Sequence, residues 1–431
     1  LRLVGSEMCI RDRIYGYDNN PKANEIATHN IKAAGVSKDI VLKLQPFQQF
    51  EQPKEKSIII TNPPYGERIS TNDLLGLYQM IGERLKHAFV GNEAWVLSYR
   101  EECFDQIGLK ASQKVPLFNG PLECEFRKYE IFDGKYKEFK SQEEGEEKKE
   151  GEGEQAPRFR ERKEFKPRRE GELKPRRDGE SRPRREGEYK QKNKIKRIYM
   201  SEQFEMIAKT FQGLEEILAE ELTALGANDI QIGRRMVSFT GDKRMMYKAN
   251  FCLRTAIRIL KPIKNFTAKD ADEVYNQIQA IPWEEYLDVN KTFAIDAVVF
   301  SEEFRHSKFV SYKVKDAIVD YFREKTGKRP SVRINNPDVL LNIHIAQTTC
   351  TLSLDSSGES LHRRGYRQEA VEAPLNEVLA AGMILMTGWR GECDLIDPMC
   401  GSGTIPVEAA LIAKNIAPGA VSYTHLRAHE T

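Results

Sequence analysis

The sequence predicts an α/β sheet domain whose parts lie at the two ends of the chain, with an α+β region and a coreless charged segment between them. Three observations predict this. Residues 13 to 139 alternate apolar runs ("RIYGYD", "KSIIITN", "EAWVLSY") with stretches of helical spacing ("NPKANEIATHNIKAAGV", "NDLLGLYQMIGERLKHAF"), the pattern of an α/β sheet. Near the other end, "CDLIDPMCGSGTIPVEAALIAKNIAPG" reads as a buried strand at Asp394 to Ile396, a turn from Asp397 to Thr404, and a helix from about Ile405. A strand, a Gly-x-Gly turn and a helix form a Rossmann-like cradle for a nucleotide-like cofactor. Third, residues 140 to 199 contain almost nothing apolar.

That middle segment passes from an acidic run, "EEGEEKKEGEGE", into three eight-residue units, "KPRREGEL", "KPRRDGES" and "RPRREGEY". It cannot bury enough surface to offset its ordering entropy and is expected to be disordered. Its arginines read either as part of a solvated tether or as a weak, sequence-blind phosphate binder blunted by the interleaved glutamates. From Met200, which looks like a true start, a second folded region opens with "FEMIAKTFQGLEEILAEELTALGA", where Leu214, Ile217, Leu218 and Leu222 share one helical face. It continues through "RRMVSFTG", "KTFAIDAVVF", "FVSYKVKDAIVDYFREK" and "DVLLNIHIAQTTCTLSLDSSG" to the basic cluster "LHRRGYR".

The bulk numbers exclude little. Of 431 residues 40% are apolar and 31% charged, yet the net charge is only +2, so only local patches inform. No run of eighteen apolar residues is present, and "LRLVGSEMCIRDR" lacks the apolar core of a secretory signal. Seven cysteines without a C-x-x-C pair argue against zinc and for a reducing compartment, the cytoplasm. No metal is expected.

Three stretches carry chemistry. In "IIITNPPYGER" a β-branched run ends in Asn62, Pro63, Pro64 and Tyr65, at the strand end where open α/β sheets bind ligands. Two prolines remove N–H donors and leave carbonyls as acceptors. With the Asn62 side-chain oxygen, these could hold both hydrogens of a planar amino group, while Tyr65 offers a ring for a flat base. That geometry suits methylation of an exocyclic nitrogen, without a strong general base; the bland reading is a Pro-rich turn. In "DPMCGSGT", Gly401 and Gly403 allow close backbone approach, and Asp397 could receive the amino group of a methionine-like moiety. In "IYGYDNN", Asp18 ends a strand and could take ribose hydroxyls; equally, Asp18 or Asn19 could cap the helix before Pro21.

The set "LHRRGYR", "APLNEVLAAGMI", "DPMCGSGTIPVEAA", "GYDNNPKANEIATHN", "NPPYGER" and "NGPLECEFRKYEIF" resembles the THUMP-containing class I methyltransferases, in particular bacterial enzymes that methylate N2 of a guanine in 23S ribosomal RNA. The resemblance implies a Rossmann-like methyltransferase domain with a mostly parallel seven-stranded sheet, split and permuted. It implies S-adenosyl-L-methionine as cofactor and ribosomal RNA as partner. Residues 13 to 139 would be the later half of that domain and 366 to 419 the earlier half. Residues 200 to 265 would be a ferredoxin-like piece and 266 to 365 the RNA-binding THUMP domain. Asp397, Gly401 and Gly403 would line the methionine end of the cofactor, with Pro398, Cys400 and Thr404 in the same turn. Asp18 would take the ribose, and Gln45 stands where many such folds place an acidic adenine contact. Asn62, Pro63, Pro64 and Tyr65 would hold the guanine amino group. Arg363, Arg364 and Arg367 would touch RNA phosphates, the alternative being surface ion pairs.

The order departs from the family's. There THUMP comes first, then the Gly-rich motif, the Asp and the N-P-P-Y. One class of DNA amino-methyltransferases does run in the order found here, which leaves a DNA enzyme and a non-catalytic RNA-binding chain as alternatives. Residues 421 to 426, "VSYTHL", can be encoded by GTC TCT TAT ACA CAT CTC, whose reverse complement translates as "EMCIRD", residues 7 to 12. Residues 1 to 12 and 420 to 431 are therefore expected to be translated sequencing adapter, and the permutation a rearranged reconstruction.

Overall fold

The computed structural model describes residues 14–51, 56–64, 71–132, 203–304, 306–371 and 373–421. The first part of the chain forms β1 (Ile14–Asp18), α1 (Pro21–Ala33), β2 (Ile40–Leu44), β3 (Ser57–Thr61), α2 (Thr71–Ala88), β4 (Glu93–Ser98), α3 (Glu101–Ile107), β5 (Gln113–Asn119) and β6 (Leu122–Glu130). The middle part forms β7 (Phe204–Lys209), α4 (Glu215–Leu225), β8 (Asn228–Gly233), β9 (Met236–Gly241), α5 (Lys243–Cys252), β10 (Arg258–Thr267), α6 (Ala271–Gln279), β11 (Thr292–Phe300), α7 (Ser307–Thr326), β12 (Ser331–Val332), β13 (Val339–Ala346) and β14 (Thr349–Asp355). The last part supplies α8 (Glu377–Met386), β15 (Asp394–Asp397), α9 (Thr404–Ala413) and α10 (Pro418–Val421).

The two ends of the chain make one sheet. Its order is β2-β1-β15-β3-β4-β6-β5, so the late strand β15 sits between two early ones. Ile14 to Gly16 pair in parallel with Leu395 to Asp397, and Asp394 to Ile396 pair in parallel with Ser57 to Ile59. Only β6 runs against the others, pairing antiparallel with β4 on one side and β5 on the other, so the expected mostly parallel seven-stranded sheet is present. Physical reasons for the insertion are plain. All five residues of β3 and all four of β15 are buried, as strands covered on both faces by helices must be. Without β15, the facing edges of β1 and β3 would have no ladder partner. Side chains add to the join. Asn30 Nδ2 donates to the Ser402 carbonyl at 3.0 Å, and Lys414 Nζ meets both Asp39 oxygens at 2.9 Å.

The middle part forms an eight-stranded sheet, β12-β11-β13-β14-β10-β7-β9-β8. β10 crosses the expected boundary at 265/266 and pairs with β14 on one side and β7 on the other. The apolar face expected on α4 divides between two cores. Leu218 and Leu222 pack under β7 and β9 beside Met206, Val237 and Phe239. Leu214, just before the helix, is fully buried among α8 and the seven-stranded sheet, worth roughly 1.5–3 kcal/mol. Two glycines admit it: a Cβ on Gly382 would lie 2.5 Å from Leu214 Cδ2, and one on Gly213 (φ +92°) 2.4 Å from the Pro116 carbonyl. No helix among the described residues is long and apolar enough to cross a membrane. The charged segment expected to be disordered and most of both expected adapter ends lie outside the described residues; residues 420 and 421 belong to α10.

Candidate active site

Four adjacent parallel strands, β1, β15, β3 and β4, end on one edge of the sheet. Parallel strands bring their carboxyl ends together there. The residues at and just past these ends line a cavity of about 1010 Å³: Asp18 at the end of β1, Asp397 at the end of β15 with Pro398, Cys400, Gly401 and Thr404 beyond it, Asn62, Pro63 and Pro64 after β3, and Tyr99 after β4. Asp18 and the Asn-Pro-Pro stretch thus meet the Gly-rich turn from the far end of the chain. Tyr65 lies outside the described residues.

The turn is built for close approach. Gly403 caps α9 with φ 79°, and a Cβ there would stand 3.2 Å from Ala27 Cβ; a side chain would be strained by both. Gly403 therefore shapes the turn from below, whereas at Gly401 a Cβ would meet nothing within 4 Å. The Gly401 N–H donates to Asp18 Oδ2 at 2.9 Å, and the Cys400 N–H to the Tyr17 carbonyl at 2.8 Å. The alternative of Asp18 as helix cap does not hold: Asn20 caps α1, accepting from Lys22 and Ala23, while Asp18 Oδ1 accepts from Asn20. Each Asp18 oxygen accepts one N–H and retains acceptor capacity towards the cavity.

Asp397 is 1% exposed. Burial pushes its carboxyl up to about 8, against the Met399 N–H that donates to it and with the nearby Asp18 charge adding to the rise. Near neutral pH it is largely protonated, and a cationic group placed beside it would restore the charge. Burial also raises the Cys400 thiol well above its ordinary range, so Cys400 fills space and does not serve as a nucleophile. At the other wall, Asn62 Oδ1 is buried and meets no hydrogen-bond donor among the described residues. A buried acceptor left unpaired costs about 1–3 kcal/mol, and a ligand donor would relieve that cost.

Three expectations need correction. Gln45 does not line the cavity; its Nε2 donates to the Gln49 carbonyl, and a 3₁₀ turn after Pro46 turns Phe47 and Gln48 to the cavity wall instead. Arg364 is 2% exposed, donates to the carbonyls of Leu361 and Arg254, and lies 3.6 Å from the buried Glu408, which also accepts from Tyr366. Arg367 is largely buried and bound to Glu377, Leu375 and Thr404. Neither guanidinium reaches solvent phosphates, because the helix carboxylates claim both. Only Arg363 is exposed, 3.8 Å from Glu359. Arg364→Ala should therefore destabilise the fold by about 1–3 kcal/mol through the lost bonds to the Leu361 and Arg254 carbonyls and the lost charge beside Glu408, seen as a lower denaturant midpoint without RNA present.

Asn119 and Leu122, at the hairpin between β5 and β6, complete the cavity. Neither they nor Tyr99 were singled out from the sequence. Tyr99 stands after β4 as Asn62 stands after β3, so position after a parallel strand was the available signal.

Known families match the same parts. The RMKL-like methyltransferase domain matches residues 5–128 and 364–430, the RlmL ferredoxin-like domain 205–260, and the THUMP domain 268–355. The chain carries a THUMP domain and a methyltransferase domain in two pieces. Over 213 residues it is 48% identical to the ribosomal RNA large subunit methyltransferase K/L of Syntrophotalea carbinolica, covering 48% of this chain and 30% of the relative. Over 210 residues it is 44% identical to the same-named protein of Marinomonas sp., covering 48% and 29%. The chain thus spans under a third of the length of these relatives. Among solved structures, a predicted N6-adenine-specific DNA methylase from Listeria monocytogenes is 34% identical, covers 56% of this chain and 62% of its own, and superposes with a TM-score of 0.46.

The cofactor of this methyltransferase class is S-adenosylmethionine. The methyltransferase domain's cavity fits it in volume, in the open space over Gly401, and in the buried Asp397 carboxyl that an ammonium would ionise.

Proposed function

We propose that the chain methylates the exocyclic N2 amino group of a guanine in large-subunit ribosomal RNA. The observation that carries this reading is the buried Asn62 Oδ1 at the cavity wall, which meets no donor among the described residues. It is an acceptor waiting for an N–H, on a loop whose two prolines offer no competing donor. S-adenosylmethionine supplies an electrophilic methyl group on sulfur. Asp397 and the Gly401 turn hold its amino-acid end, and Asp18 its ribose. Asn62 Oδ1 and the Pro63 carbonyl accept the two amino hydrogens. This draws the nitrogen lone pair out of conjugation with the ring and aims it at the methyl. Transfer to that nitrogen would break the sulfur–methyl bond and leave the neutral thioether; the residues of this chain would contribute positioning, and the extra amino proton would leave to water. The THUMP domain and ferredoxin-like strands present the RNA. Guanine N2 is preferred to an adenine amino group on the resemblance of "NPPYGER" and its neighbours to guanine-N2 enzymes.

Incubation with methyl-labelled S-adenosylmethionine and protein-free 23S RNA, followed by digestion to nucleosides, tests the reading. Label should elute as N2-methylguanosine. Label in N6-methyladenosine or in duplex DNA would replace guanine by adenine as the target, and no label in any nucleic acid would sink the enzyme reading.

A further inference from the structure

The segment 361–369, "LHRRGYRQE", is a strap fastened at both ends. The Leu361 N–H donates to the Ile257 carbonyl at 2.8 Å in the ferredoxin-like part. The Gln368 N–H donates to Asn30 Oδ1 at 3.1 Å, and Asn30 Nδ2 returns bonds to the carbonyls of Glu369 (3.2 Å) and Ser402 (3.0 Å). Between these anchors Arg367 grips three elements at once. Its Nε donates to Glu377 Oε1 at 2.8 Å, and its Nη2 to the Leu375 carbonyl at 2.6 Å and to Thr404 Oγ1 at 3.1 Å. Leu375 and Thr404 line the cavity. Its Nη1 is buried and without a partner among the described residues.

We infer that Arg367 is a positioning residue for the amino-acid end of the cofactor, acting through Thr404 and the Leu375 loop. The inference rests on the cofactor-site reading above. Its physical basis is the planar guanidinium, which satisfies several acceptors in fixed directions; a lysine ammonium is a single mobile point charge. Buried Glu377 locks the plane. Because Thr404 accepts from Arg367, its own hydroxyl proton is available to donate, either to Ser402 Oγ at 3.3 Å or to a carboxylate arriving over Gly401. The strap thus orients a donor at the place where the methionine carboxylate would sit, and it ties that donor to the ferredoxin-like part.

Calorimetric titration of the full chain with two ligands tests this: S-adenosylhomocysteine, and 5′-methylthioadenosine, which shares the nucleoside and thioether but lacks the amino-acid end. Arg367→Lys should weaken the first by about tenfold or more and leave the second within about twofold. Thr404→Val should do the same, and the double variant should lose little beyond either single one. Should Arg367→Lys fail to fold, Thr404→Val alone decides, since it keeps the Arg367–Glu377 pair. Unchanged S-adenosylhomocysteine affinity, equal weakening of both ligands, or losses that multiply in the double variant overturns the inference. A parent chain that binds neither ligand overturns the cofactor-site reading itself, and the inference with it.

Discussion

Asn62→Ala is expected to lower methyl transfer to RNA by at least about 100-fold while leaving S-adenosylhomocysteine affinity within about twofold of the parent. The asymmetry follows from where the side chain stands. Asn62 lines the cavity after β3, apart from the residues proposed to hold the cofactor, which lie at and beyond the ends of β1 and β15. Its buried Oδ1 has no donor among the described residues, so truncation removes an unpaired acceptor and costs the resting fold nothing. The thermal midpoint of Asn62→Ala should therefore equal or exceed the parent's. A substitution that spares stability and cofactor binding but abolishes transfer identifies a group needed only when the target amino group arrives. Equal loss of cofactor affinity and transfer would place Asn62 at the cofactor end instead.

Asp397→Asn should have the opposite profile: S-adenosylhomocysteine affinity is expected to fall by about 10- to 100-fold while stability at alkaline pH improves. The sign follows from linkage. Asp397 holds its proton up to about 8 in the fold but, unfolded, loses it near the ordinary carboxyl value of 3.8. Between those values the folded state binds the extra proton, so the group's contribution to stability is present at low pH and is lost as pH rises through the folded value. The asparagine variant never ionises, so its melting temperature relative to the parent should be higher at pH 9 than at pH 5. Binding shows the mirror image. An ammonium beside Asp397 favours the carboxylate, so near pH 6 the parent should release about one proton per ligand bound, and its affinity should climb as pH rises towards about 8. Heats measured in buffers of different ionisation enthalpy read the proton directly. No proton release, with unchanged affinity in Asp397→Asn, would remove Asp397 from the ligand's ammonium.

Much of this site was legible before any coordinates. Apolar runs ending in Asp18, Asn62 and Asp397 carry the rule that parallel strands place ligands at their carboxyl ends, and the cavity forms there. The insertion of β15 between β1 and β3 is not visible in the residues, because buried parallel strands carry no local mark of which neighbour they pair with. Arginines were the weak point. "RRGYR" has the composition of a phosphate-binding patch, and only the distant Glu377 and Glu408 turn two of its three guanidiniums inward. Carboxylates on apolar helices such as "APLNEVLAAGM" and "IPVEAALIA" were the signal: a lone charge in an all-buried helix needs a partner, and the nearest basic cluster supplies it. Gln45 was misplaced for a local reason, since Pro46 redirects the chain into a short 3₁₀ turn and brings Phe47 and Gln48 forward.

With Gly401 bonded to Asp18 and β15 seated between β1 and β3, residues from opposite ends of one chain are placed to form a single cofactor site. Titration of the full chain with S-adenosylhomocysteine in a calorimeter measures it. One binding site per chain, lost or strongly weakened in both Asp18→Ala and Asp397→Asn, is the predicted result. No binding, or binding that either substitution leaves untouched, would contradict it.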